Sequence, residues 1–215
     1  MRIKWFGQSC FLLTSMAGVG VLMDPFKADS YLSYAQVEQP ADIVTVSHEH
    51  FDHNYLAAIP GQYEVLKGGV DRIISGISIK GIKAFHDDSL GKERGVNTVF
   101  CVNMDGINIC HLGDLGHRLS SSEIAAVGKV DILLVPVGGV FTIDCEAAAR
   151  VCQDINPQVV IPMHYKTDRC QFLQWTADDF IKGKQNARKL DSSEVEFSSG
   201  SLPSGMEIII LKYPA

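Results

Sequence analysis

The chain has 215 residues, 46% hydrophobic and 20% charged, and its 19 basic against 25 acidic side chains give a formal charge of −6. With no Lys or Arg cluster, that balance argues against a nucleic-acid backbone grip, and no apolar run approaches the ~20 residues of a membrane span. The start, Met1-Arg2-Ile3-Lys4-Trp5-Phe6-Gly7, lacks a long apolar stretch, and the six cysteines form no C-x-x-C pair, so a cytoplasmic protein with small buried thiols is expected.

Residues 2–6, 10–14 and 19–23 are predicted short strands, separated by Gly7-Gln8 and Met16-Ala17-Gly18. The third ends in Asp24-Pro25-Phe26, where proline stops the ladder. Asp24 there reads either as a turn former or as an acceptor that orients a metal-bound imidazole. A polar stretch, helical or irregular, leads to the apolar strand Ile43–Val46, and residues 55–59 form a predicted short helix stopped by Pro60. Residues 64–85 read as short strands, of which 77–84 alternates well and runs into Phe85-His86-Asp87-Asp88. Residues 91–95 are a charged loop. Strands 99–102 and 107–112 flank Met104-Asp105-Gly106, whose Asp-Gly step is a hairpin signal.

The second hairpin strand closes in His111-Leu112-Gly113-Asp114-Leu115-Gly116-His117, and the pattern then turns α/β. Ser120-x-x-Glu123 opens a helix through Val127 as a capping box. Residues 131–137 are an apolar run of buried-strand type, closing in Gly138-Gly139. Thr142 or Asp144 caps a helix through Cys152, broken by Asn156-Pro157, and strand 159–161 ends in Pro162-Met163-His164-Tyr165. Thr176-x-x-Asp179 opens a last helix, and strands at 194–197 and 206–212 close the chain. No composition break or linker interrupts it, so one domain over 1–215 is expected.

Chemistry concentrates at Ser47-His48-Glu49-His50-Phe51-Asp52-His53, where three of the seven histidines follow a strand. Imidazole nitrogens and carboxylate oxygens are ligands for zinc or a similar divalent ion. His48 and His50, two apart on an extended segment, point the same way, and Glu49 points away. Asp52 and His53 come after the turn and are available to a second ion. With His86, Asp114 and His164 at other strand ends, two sites can be completed. His48, His50 and His86 would serve one ion, Asp52, His53 and His164 the other, and Asp114 would bridge. Two divalent ions outweigh two aspartates and a hydroxide by about one positive charge, which suits an anionic substrate or an oxyanion. The ions would lower the pKa of a shared water towards ~7. The expected reaction is metal-assisted hydrolysis.

The pattern His48-x-His50-x-Asp52-His53 after a strand, with His86, the Gly113-Asp114 turn and His164, resembles the metallo-β-lactamase fold. The contexts Phe85-His86-Asp87, Leu112-Gly113-Asp114-Leu115-Gly116 and Pro162-Met163-His164-Tyr165 are similar to the branch of ascorbate-6-phosphate lactonase and related zinc-dependent hydrolases. That resemblance implies an α+β architecture, a four-layer αββα sandwich with the metals at one edge of the sheets. It implies two divalent ions, Zn2+ or Mn2+. Asp114 stands where secreted antibiotic-hydrolysing members carry cysteine, which argues against β-lactam hydrolysis. His50 stands where di-iron reductases carry glutamate, and no flavodoxin-like segment is attached. The chain is too short for the inserted domain of RNA-processing members and lacks the helical domain of hydroxyacyl-glutathione hydrolases.

Asp52 and Asp114 are candidate catalytic residues, and His117 is a candidate proton donor to a leaving group or a surface histidine at a helix start. His111 reads as a core or supporting histidine. Asp87, Asp88, Tyr165 and Lys166 flank ligand positions and are candidate pocket residues, and Gly138-Gly139 is either a close substrate approach or a strand-end turn. The expected substrate is a small anionic ester, a phosphorylated lactone or a phosphodiester, and the sequence leaves the number of subunits open, a homo-oligomer included. Two other classes compete: a non-haem di-iron redox protein, and a metal-holding domain without turnover.

Overall fold

A computed structural model describes residues 1–214, with fourteen strands and three helices among them. The first strands are β1 (Arg2–Gly7), β2 (Cys10–Thr14), β3 (Gly20–Met23), β4 (Ile43–Val46) and β5 (Glu64–Lys67). Next come β6 (Asp71–Ile74), β7 (Ile77–Phe85), β8 (Val96–Met104) and β9 (Ile107–His111). Helices then alternate with strands: α1 (Ser121–Val127), β10 (Ile132–Pro136), α2 (Cys145–Ile155), β11 (Val159–Met163) and α3 (Ala177–Ile181). The last strands are β12 (Ala187–Lys189), β13 (Glu194–Glu196) and β14 (Glu207–Ile210). They form a six-stranded sheet, β13-β1-β2-β3-β4-β5, and an eight-stranded sheet, β12-β14-β11-β10-β9-β8-β7-β6.

Side chains alternate across the six-stranded sheet, as a period of two requires. Phe11, Leu13, Val21, Met23 and Ile43 join Ile79, Phe100 and Ile109 in the core between the sheets. Leu12, Leu22 and Val44 sit in a second cluster with Phe26, Leu32, Tyr34, Ile59 and Leu173. In the eight-stranded sheet β10 lies parallel between β9 and β11, and every residue of β10 and β11 is buried. The unbroken apolar runs there are what a strand covered on both faces needs. Asp105 and Gly106 both have positive φ, 53° and 77°, which turns β8 into β9 as a two-residue hairpin.

Ser120 makes the expected capping box on α1, Thr176 opens α3 as expected and also forms a capping box, and Asp144 caps α2, which ends on left-handed Asn156. The helices belong to the eight-stranded sheet, with α1 against β7 and α2 against β10. The α+β sandwich therefore stands, but irregular chain covers the outer face of the six-stranded sheet, through Phe26, Leu32, Tyr34, Val37 and Ile59. The predicted helix at 55–59 is corrected here. Tyr55 N–H donates to the Pro25 carbonyl at 2.8 Å, leaving one turn closed by Ile59 to Leu56. Five residues stopped by proline do not repay helix nucleation. Strand β12, three residues at the sheet edge, carries too short a pattern to read in advance.

Strand direction places the site. Both β7 and β9 run antiparallel to β8, and β9, β10 and β11 are parallel, so β7, β9 and β11 end on one rim. In the other sheet β3 and β4 are parallel and also end together. Two backbone bonds join the rims, Thr98 N–H to the Ser47 carbonyl at 2.9 Å and His164 N–H to the Gln8 carbonyl at 3.1 Å. Among the described residues no helix is long and apolar enough to cross a membrane.

Candidate metal centre

The ends of β3, β4, β7, β9 and β11 deliver Asp24, residues 48–53, His86, Asp114 and His164 to this rim. His48, His50 and His86 offer ligand-type atoms within 4.8 Å of one another, and so do Asp52, His53, Asp114 and His164. Asp114 Oδ2 joins the two groups. It lies 3.2 Å from the Nε2 atoms of His53 and His164, 3.3 Å from that of His86 and 3.9 Å from that of His48. His53, His86, Asp114 and His164 are buried, and His50 is exposed towards the pocket.

Hydrogen bonds to the outer nitrogens fix the tautomers of two of these rings. Asp24, fully buried, can only accept when ionised. It takes Ser47 N–H at 2.7 Å, the Ser47 hydroxyl at 2.5 Å and His53 Nδ1–H at 2.9 Å. Having donated to Asp24, Ser47 Oγ accepts from His48 Nδ1 at 2.9 Å. One carboxylate thus leaves the Nε2 lone pairs of both His48 and His53 facing inwards. His48 Nε2 sits 3.0 Å from His50 Nδ1. Gln8, a residue the sequence reading passed over, donates to Asp52 Oδ2 at 2.9 Å. Asn97, also passed over, accepts from Asp114 N–H at 3.0 Å and donates to the Leu112 carbonyl at 2.8 Å. A buried asparagine inside an apolar strand was the one available signal for it.

Electrostatics favour a cation here. Burial works against charge on His53, but Asp114 and Asp52 outweigh it and hold its pKa well above the ordinary value. Burial raises the Asp114 carboxyl, and His164 and His53 more than reverse this, holding it well below the usual range. Burial, with His53 beside it, pushes His48 down to about 3, which keeps that imidazole neutral. Several buried polar atoms have no hydrogen-bond partner, among them His53 Nε2, Asp114 Oδ1, His86 Nδ1 and His164 Nδ1. Orphaned buried donors and acceptors are costly, and His53 Nε2 and Asp114 Oδ1 are atoms of the kind that would hold a divalent ion. The donor set of imidazoles and carboxylates therefore fits zinc or manganese. Gln8, Asp24 and His164 all adopt positive φ, 49°, 46° and 48°, a cost of ~1–3 kcal/mol each that such packing sustains.

A family model described as a beta-lactamase superfamily domain matches residues 2–164. The crystal structure of a candidate Zn-dependent hydrolase of the metallo-beta-lactamase superfamily from Thermotoga maritima superposes with a TM-score of 0.83, at 33% identity over 99% of both chains. The chain belongs to the metallo-β-lactamase superfamily. A UPF0173 metal-dependent hydrolase from Thermoplasma acidophilum is 32% identical over 191 residues, 78% of this chain and 84% of that protein. Another from Hyperthermus butylicus is 32% identical over 233 residues, 93% and 97% of the two chains.

In this metallo-β-lactamase fold the remaining candidates are placed away from the chemistry. His117, expected as a proton donor, is corrected: its Nε2 accepts from Phe85 N–H at 3.1 Å and its Nδ1 faces the Arg118 carbonyl at 2.9 Å. It closes the β7 end and does not line the pocket. His111 is structural, with Nε2 donating to the Ser9 carbonyl at 2.8 Å and Nδ1 accepting Gly113 N–H at 3.0 Å. Tyr165 packs on Trp5, and Asp88 and Lys166 are exposed outside the pocket. Glu49 turns outwards to Lys67 at 2.6 Å. Gly138 is a packing glycine, since a Cβ there would stand 2.2 Å from the His164 carbonyl oxygen. The pocket of ≈ 460 Å³ is walled by Tyr31, Phe51, Phe141, Phe172 and Arg94, none singled out in advance.

Proposed function

We propose that this protein is a dinuclear metal-dependent hydrolase of small anionic esters, such as phosphorylated lactones or phosphodiesters. His48, His50 and His86 would hold one divalent ion, Asp52, His53 and His164 the other, and Asp114 would bridge them. Zinc is the best match to these donors, with manganese as the alternative. The observation that carries the reading is Asp114 Oδ2, with four imidazole nitrogens within 3.9 Å. When bound, such ions supply hydroxide at neutral pH and offset the charge that builds on the substrate.

The chain's own residues do the rest. Asp24 and Ser47 keep His48 and His53 in the ligating tautomer, and Gln8 orients Asp52. The aromatic side chains Tyr31, Phe51, Phe141 and Phe172 offer an apolar wall against which a substrate body would pack. In such a hydrolysis a hydroxide oxygen would join the acyl carbon or phosphorus, the ester C–O or P–O bond would break, and the leaving oxygen would take a proton from water. The six unpaired thiols suit a reducing, cytoplasmic setting.

The test is metal analysis of protein purified without added ions, followed by a screen of chromogenic phosphodiesters and lactones. Zinc or manganese at about two ions per chain, with turnover lost in Asp114→Ala, supports the reading. Iron with a coloured centre, or full metal loading with no hydrolysis of any ester, overturns it.

A further inference from the structure

Resting on the hydrolase reading, the geometry points to Arg94 as the residue that selects the substrate: we infer that it grips a second anionic group, carboxylate or phosphate, at the far end of a substrate with a flat apolar body. The pocket places this guanidinium, the metal-type side chains His50, Asp52 and Asp114 and the rings of Tyr31, Phe51, Phe141 and Phe172 around one cavity of ≈ 460 Å³. That volume takes one ring with a group at each end.

Arg94 is held for this purpose. Its guanidinium carbon lies 4.5 Å from the centre of the Phe141 ring, which itself meets Phe172 at 6.0 Å. Stacking fixes an arginine while leaving its in-plane N–H donors for a bidentate anion. Among the described residues, Arg2, Arg72, Arg118, Arg150 and Arg188 each face a carboxylate; Arg94 and Arg169 face none within 4.0 Å, and of these two it is Arg94 that lines this pocket. The backbone carrying it is clamped by Asp87, which accepts from Ser89, Gly91, Glu93 and Arg94 N–H groups at 2.7–3.1 Å. His86 N–H to the Gly95 carbonyl at 3.1 Å closes the same loop. Asp87 is thus a positioning residue for Arg94.

The test compares non-hydrolysable probes on zinc-loaded protein by titration calorimetry. Phenylphosphonate has one anionic end, 4-carboxyphenylphosphonate and 1,4-phenylenediphosphonate have two, and the last two distinguish carboxylate from phosphate at Arg94. The wild type is expected to bind one of the two-ended probes about tenfold or more tightly than phenylphosphonate, as a charge-assisted bidentate pair provides. Arg94→Ala removes that advantage, with zinc content and phenylphosphonate affinity unchanged, and Arg94→Lys restores only part of it. Asp87→Ala lowers the same ratio, and equal loss for all probes would reduce Asp87 to a structural role. No advantage in the wild type, or an advantage kept in Arg94→Ala, overturns the inference even if esters are hydrolysed. Protein that takes up no zinc and binds no probe overturns the hydrolase reading and this one together.

Discussion

Replacing Asp24 by asparagine changes one atom of a fully buried side chain, yet it should disable both proposed metal positions. The carboxylate accepts three hydrogen bonds, two on Oδ2 and one on Oδ1. An asparagine must put its NH2 on one side. Placed towards His53, the amide donates, so His53 Nδ1 must become an acceptor and its proton moves to Nε2, the ligating nitrogen. The Ser47 hydroxyl then turns from Asp24 to His48 and imposes the same reversal there. Placed towards Ser47 N–H, the amide sets donor against donor, at ~1–3 kcal/mol for the unmet buried group. Losing such an orienting partner lowers metal affinity ~10–100-fold, or ~1.4–2.7 kcal/mol. Competition with a chromogenic chelator at pH 7 measures it, and thermal unfolding of chelator-treated protein separates stability from affinity. Zinc affinity within about twofold of wild type in a folded Asp24→Asn protein would refute the tautomer argument.

Three other outcomes are expected. Gly138→Ala drives a Cβ to 2.2 Å from the His164 carbonyl oxygen, so it should cost at least ~1–3 kcal/mol and lower zinc content. Gly200→Ala, with nothing within 4 Å, should leave the melting temperature unchanged in the same scan. His117→Ala should lose ~1 kcal/mol in urea unfolding by freeing Phe85 N–H. Its kcat should stay near wild type, whereas removing a true proton donor would cut it ~100-fold or more. Burial raises the Asp131 carboxyl, but Lys129 and the Asn108 amide outweigh it and hold the pKa below the ordinary 3.8. A lowered pKa means the native state resists protonation, so its stabilisation is complete above pH ~4 and is lost as pH falls through the lowered value. Asp131→Asn should therefore flatten the stability profile below pH ~4, and an unchanged slope in acid would count against it.

The clustering of the histidines and aspartates at the strand ends was legible because its signals are local. Histidines at 48, 50 and 53 stand directly after a β-branched run, and His164 directly after another. The Asp-Gly hairpin, the Ser120 capping box and the helix start at Thr176 are equally short-range, and they form as read. What the sequence hid depends on contacts between distant segments. Asp24 could be a turn former or a supporting acceptor until Ser47 and His53 were seen beside it. His117 sits three residues after Asp114, but the Phe85 backbone captures its ring. Arg94 lies in a charged loop that looks like ordinary solvated surface. Only the fold brings it to Phe141, 47 positions away, and to Asp87 at the base of its loop.

The irregular layer over the six-stranded sheet has an evolutionary consequence. Tyr31, Phe141 and Phe172, which shape the cavity, all lie outside strands and helices and outside the 48–53 motif that holds the fourth wall ring, Phe51. Insertions or swaps in those stretches break no ladder, whereas the ion-type side chains are tied to strand ends. Cradle and selectivity wall are thus mechanically independent parts, and lineages can exchange one while inheriting the other intact.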